Sequence, residues 1–114
     1  MIQISTHVLD TAAGSPARDV AVHLEHRENS GEWRVIGSGR TDQDGRCHQL
    51  VPDGEGLLPG TYRLAFDTAG YHAAHNVHGL YPIVQITFSL REGETHLHVP
   101  LLLGPHSYTT YRGS

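Results

Sequence analysis

Short runs of alternating apolar and polar residues, each closed by glycine or proline, constrain this chain to a β fold. A period of two is the side-chain repeat of an extended strand. Thirteen Gly and six Pro stand between the runs as turn punctuation. The runs cover residues 2–10, 20–27, 32–40, 46–51, 61–67, 83–91, 95–103 and 107–112. That is the strand number and spacing of a sandwich or barrel. Gly14-Ser15-Pro16 and the stretch from Pro52 to Gly60 read as turns, and the Asp44-Gly45 end of residues 41–45 suits a hairpin or a tight turn. Residues 68–75 are the only plausible helix, barely two turns long. With 114 residues there is room for one domain, 1–114, and one core.

Composition narrows the partners. The formal charge is −4 and no run of basic residues occurs, so a phosphate backbone would find no clustered cations and nucleic acid is not an expected partner. No apolar stretch approaches the roughly 18 residues that span a bilayer, so no membrane partner is expected. The residues from Met1 to His7 carry neither a basic nor an apolar leader pattern. Cys47 is the only cysteine, which removes intrachain disulfides and fits a reducing compartment. A cytoplasmic protein is the expectation. Ten histidines are the oddity, since imidazole is both the neutral-pH proton carrier and the commonest metal ligand.

Strand faces show where those histidines go. In 2–10, Ile2, Ile4 and Val8 alternate to one side and Gln3, Ser5, His7 and Leu9 to the other. In 95–103, Leu97, Val99, Leu101 and Leu103 share a face opposite His96, His98, Pro100 and Leu102. Both strands thus turn histidine away from the core, and a subunit interface is the expected place for a site built there. Pro100 cannot donate to a ladder, which predicts an edge strand, a bulge or an unpaired stretch.

His96-x-His98 has a spacing compatible with proton transfer or a metal, against the ordinary reading of solvated histidines. Arg46 offers forked donors for a carboxylate, a urea-type carbonyl or an enolate, or is a solvated strand-end cation. Asp42-x-Asp44-Gly45 lacks the remaining acids of a calcium loop. Cys47 reads as a buried, inert thiol. Tyr71, His72, His75, His78 and Tyr81 are too irregularly spaced for a metal tract and read as a polar helix-and-loop surface.

Four ordered segments carry a stronger signal. Ser5-Thr6-His7-Val8-Leu9-Asp10 with Gly14-x-Pro16-Ala17 opens the chain, and residues 41–46 and Tyr81-Pro82 follow. His98-Val99-Pro100-Leu101-Leu102-Leu103-Gly104-Pro105 then leads to Ser107-Tyr108-Thr109-Thr110-Tyr111-Arg112-Gly113-Ser114. Together they resemble the 5-hydroxyisourate hydrolases, the transthyretin-related proteins, over nearly the whole chain. The resemblance implies an all-β, prealbumin-like sandwich of two four-stranded sheets with one short helix. It also implies a homotetramer whose active sites line the channel at the dimer–dimer interface.

The activity implied is hydrolysis of 5-hydroxyisourate to 2-oxo-4-hydroxy-4-carboxy-5-ureidoimidazoline in urate degradation, with water as nucleophile. By position in the motifs, the functional residues fall on His7, Arg46, His98 and the terminal Tyr111 to Ser114. His7 and His98 are the implied proton carriers, Arg46 binds the substrate, and Tyr111 and Ser114 orient substrate or water. No metal, organic cofactor or covalent nucleophile is implied. The alternatives are a transthyretin-like small-ligand carrier without catalysis, which lacks this residue set, and a histidine-rich metal binder. The sequence departs from the family pattern at Leu80, Leu97, Gly104 and His106-Ser107, none of them one of the implied functional positions.

Overall fold

The computed structural model describes residues 2–114, and Met1 lies outside them. The order is β1 (Gln3–Asp10), β2 (Ser15–Pro16), β3 (Ala21–Arg27), β4 (Trp33–Arg40), β5 (Arg46–Cys47), β6 (Gly60–Phe66), α1 (Thr68–Ala74), β7 (Val84–Leu90), β8 (His96–Leu103) and β9 (Tyr108–Thr110). One sheet runs β2-β1-β8-β9, with β5 also on β1, and the other runs β4-β3-β6-β7. The expected pair of four-stranded sheets is therefore present, with one addition. β1 is long enough to share one edge between β5 at Thr6 and His7 and β2 at Leu9 and Asp10.

The alternation holds where it predicts burial. Ile4, Val8, Leu64, Phe66, Leu101 and Leu103 are buried between the sheets, each such side chain contributing about 1.5–3 kcal/mol. Tyr62 joins them, its hydroxyl donating to the Leu58 carbonyl at 2.6 Å. The short helix forms with Asp67 at its N-terminus accepting from the Gly70 amide at 3.0 Å. Among the described residues, no helix is long and apolar enough to cross a membrane.

Three local expectations change. Residues 32–40 and 46–51 do not make a hairpin: the chain crosses between sheets, β5 pairs with β1, and pairing stops at Cys47. The tight turn at residues 42–45 forms nonetheless, the Gly45 amide donating to the Asp42 carbonyl at 2.9 Å. Tyr71 and His72 are buried rather than part of a polar surface, because the Tyr71 hydroxyl reaches across to Asp10 and donates at 2.7 Å. β8 is an inner strand, parallel to β1 and antiparallel to β9. Pro100 is accommodated by an unpaired stretch: the β8–β9 ladder runs to Leu101↔Thr110, lapses opposite Pro100, and resumes in the same register at His98↔Gly113.

Candidate active site

The turn before β5 builds one side of the site. Asp42 Oδ1 accepts from the amides of Asp44 at 2.9 Å and Arg46 at 3.0 Å, and these two donors, Arg46 first, hold its carboxyl below the ordinary carboxylate range. Gly45 has φ of +76°, and a Cβ there would lie 2.4 Å from the Val8 carbonyl oxygen, so glycine lets the turn press against β1. The Val8 amide donates to the Gly45 carbonyl at 2.7 Å. That contact sets the register His7↔Arg46. Directly opposed residues of an antiparallel pair share a face, so the imidazole and the guanidinium stand side by side on the outside of the sheet.

The same turn orients His7. Its Nε2 lies 2.8 Å from the Asp44 carbonyl oxygen, which can only accept, so the proton is on Nε2 and Nδ1 keeps its lone pair when the ring is neutral.

β8 brings the second imidazole. In the parallel pair with β1, Ser5 is the partner of His98, and Ser5 Oγ lies 2.8 Å from His98 Nδ1 and 3.2 Å from His96 Nε2. With Nδ1 engaged, Nε2 is the nitrogen of His98 left for a substrate. Burial first, then the charges of Arg46, His7, His96 and His48, hold its pKa below the ordinary 6.5. A ring so placed is neutral at pH 7 and able to accept a proton.

The C-terminal residues reach the same place. The Gly113 amide donates to the His98 carbonyl at 2.8 Å, and a Cβ on Gly113 would lie 2.5 Å from His98 Cδ2. Tyr111 and Ser114 are exposed on either side of this contact, and Arg112 is drawn aside by Glu94 at 2.7 Å.

The structure therefore gathers His7, Arg46 and His98 on one sheet face, with the tail tied to His98 and with Tyr111 and Ser114 beside that tie. Ser5 and His48 are added to them. Ser5 was visible as a polar residue on the His7 face and as the first residue of the opening motif, and nothing in a single sequence marks it as a partner of two histidines. His48 lies beyond the end of β5, where strand alternation no longer predicts direction. Cys47 is buried and its thiol is pushed up by that burial, so it is inert. Among the described residues, no group of three or more His, Cys, Asp or Glu is placed to hold a metal. One groove lies on the outer face of the second sheet beside His23, Ser38 and Ala65. Another is bounded by Tyr111 and Arg112 together with Leu97, Val99 and Phe88, so Tyr111 borders that groove as well as the tie to His98, and the His7 face itself is left open.

The matches to known proteins run through all of these segments. A probable 5-hydroxyisourate hydrolase of Caenorhabditis elegans is 46% identical over 111 residues, covering 97% of this chain and 81% of that protein. The crystal structure of sea bream transthyretin in complex with thyroxine superposes with a TM-score of 0.89 at 32% identity, over 96% of this chain and 93% of that one. The structure of Klebsiella pneumoniae 5-hydroxyisourate hydrolase gives 0.86 at 32% identity over the whole of both chains. With the family model matching residues 4–113, from the strand that carries His7 to the glycine that holds His98, this chain belongs to the HIUase/Transthyretin family.

Proposed function

We propose that this protein hydrolyses 5-hydroxyisourate to 2-oxo-4-hydroxy-4-carboxy-5-ureidoimidazoline, a step of urate degradation, using water as nucleophile and no metal or organic cofactor. The observation that carries the reading is the convergence of His7, Arg46 and His98 on one face, with Gly113 bonded to His98. A hormone carrier of the same fold has no need of a neutral imidazole beside a guanidinium. His98, held neutral, takes a proton from water at Nε2. Arg46 supports the charge that develops on the carbonyl oxygen, and His7, fixed by the Asp44 carbonyl, handles the proton for the leaving nitrogen. Each proton-transfer role is worth roughly 10² to 10⁴ in rate. Tyr111 and Ser114 orient the substrate and the water from the tail.

The active species in this reading is a homotetramer in the cytoplasm. The open His7 face supports assembly, as do the exposed side chains of Leu80, Tyr81, Ile83, Tyr108 and Tyr111. The unpaired Cys47 fits a reducing compartment. The test is the absorbance decay of freshly generated 5-hydroxyisourate with and without protein, in the presence and absence of EDTA. Acceleration over spontaneous hydrolysis, insensitive to EDTA, is expected. Binding without acceleration would make the protein a carrier, and a rate lost to EDTA and restored by zinc would make the hydrolysis metal-assisted.

A further inference from the structure

Ser5 does more than fill a polar position. Its hydroxyl is buried and lies between two imidazoles, 2.8 Å from His98 Nδ1 and 3.2 Å from His96 Nε2. A serine hydroxyl has one hydrogen and can also accept. It can therefore donate to one ring while accepting from the other, and the two arrangements interconvert by moving protons along the line. The two rings differ in setting. His98 is half-buried and faces Arg46, His7 and His48, whereas His96, at the start of β8, is exposed. They lie nearly parallel, 12° apart, with centroids 6.4 Å apart, too far for direct proton transfer.

We infer that Ser5 and His96 form a proton relay for His98, parking on His96, the more exposed of the two rings in the single chain, the positive charge that His98 acquires when it deprotonates water. In the resting arrangement His98 Nδ1–H donates to Ser5 Oγ, and the Ser5 hydroxyl donates to His96 Nε2. As His98 Nε2 takes the proton of the attacking water, its Nδ1 proton passes to Ser5 Oγ and the serine proton passes to His96 Nε2. His98 is then neutral and His96 is the imidazolium. When the leaving nitrogen is protonated the shifts reverse: His96 returns its Nε2 proton to Ser5, Ser5 returns one to His98 Nδ1, and His98 releases its Nε2 proton to the leaving nitrogen, directly or through His7. Every proton is accounted for and no other reactant is needed. The benefit is electrostatic. An imidazolium beside Arg46 in a half-buried site is repelled and poorly hydrated, and the same charge on the more exposed ring is less repelled and better hydrated. Ser5 and His96 are positioning residues on this account, acting through His98.

The inference rests on the hydrolase reading, so wild-type acceleration of 5-hydroxyisourate decay is measured first and stands or falls alone. The relay is then tested with Ser5→Ala, Ser5→Thr, His96→Gln and the Ser5→Ala/His96→Gln pair. His96 is exposed in the single chain, so His96→Gln should leave the fold of the subunit intact, which circular dichroism and light scattering on the same sample check. Expected are losses of about tenfold in kcat for Ser5→Ala and for His96→Gln, below the full worth of a general base, with KM within about twofold. The double variant should be no slower than either single one, and Ser5→Thr, which keeps the hydroxyl, should recover most of the rate. The dependence of kcat on the fraction of D₂O should be curved in the wild type, as for several protons in flight, and linear in Ser5→Ala. Unchanged kcat in His96→Gln, losses that multiply in the double variant, or a linear wild-type dependence would each overturn the relay. Histidine ¹⁵N spectra give a readout free of turnover: Ser5→Ala should alter the tautomer balance of both His96 and His98, and no change in either would also overturn it.

Discussion

The Gly113 amide donates to the His98 carbonyl at 2.8 Å, so the last residues of the chain and the half-buried imidazole are held by one bond. Deleting Tyr111 to Ser114 should abolish most hydrolysis while leaving the sandwich folded, since the core is made elsewhere. Gly113→Ala is the sharper probe. Its Cβ would meet the His98 ring at 2.5 Å and Pro100 Cγ at 3.2 Å, so ring or tail must move, and a displacement of that size costs on the order of 10²-fold in rate. Circular dichroism and turnover on the same sample check it. A fully active Gly113→Ala would detach the tail from catalysis.

Arg46→Lys should lose far more activity than a charge-conserving change at a surface position. A guanidinium presents parallel donors to a planar substrate, and an ammonium is a hydrated point charge. A loss in kcat assigns Arg46 to developing charge; a rise in KM with kcat unchanged assigns it to ground-state binding. Wild-type kinetics would leave Arg46 without a role.

The rate should persist as pH falls through 6.5 and decline only below it, because His98 titrates below its ordinary 6.5. The stability consequence has the same direction. In the window between the lowered folded pKa and the unfolded value near 6.5, the unfolded chain binds the proton and the folded chain does not, so stability drops as pH falls through that window. His98→Gln should flatten both the acid limb of any residual rate and that part of the stability curve. A rate that declines with a midpoint above 6.5 would remove His98 from the base role.

Stability and activity should separate on the second sheet. Arg63 donates to both oxygens of Glu25 at 2.7 and 3.0 Å, lies 4.1 Å over the Trp33 ring, and is mostly buried there. Hydrogen bonding to Arg63 holds the Glu25 carboxyl below its ordinary range. Glu25→Gln should cost about 1–3 kcal/mol of stability and leave kcat unchanged. Thermal melts and the 5-hydroxyisourate assay check the two halves.

Light scattering should report about four chain masses in solution, closed symmetric assemblies being usual for soluble homo-oligomers. Full activity in a stable monomer would show that the His7 face is complete in one chain.

Period-two alternation carried most of the architecture from sequence. It gave the buried faces of β1, β6 and β8 and the outward placement of His7 and His98, because burial on one face of a strand is a local pattern. Pairing is not local. Nothing in residues 46–51 says that Arg46 will lie against β1 rather than β4; that follows from Gly45 tucking under Val8, a contact between segments far apart in sequence. The Pro100 rule failed on edge position and held on the missing ladder bond, since a proline forbids a donor and does not choose neighbours. Ser5 escaped for a similar reason: its importance lies in the parallel register with β8, which no property of residues 3–10 encodes.

That parallel register also orders events in time. Ser5 and His98 are 93 positions apart, and β1 and β8 can pair only after the chain between them has closed into a loop, an entropic cost that slows non-local contacts. The second sheet, β4-β3-β6-β7, is joined by antiparallel pairs of smaller separation and can assemble without either end of the protein. The face that carries His7 and His98 would then be the final part of the molecule to take shape, and the return of turnover during refolding marks the moment at which β1 and β8 meet.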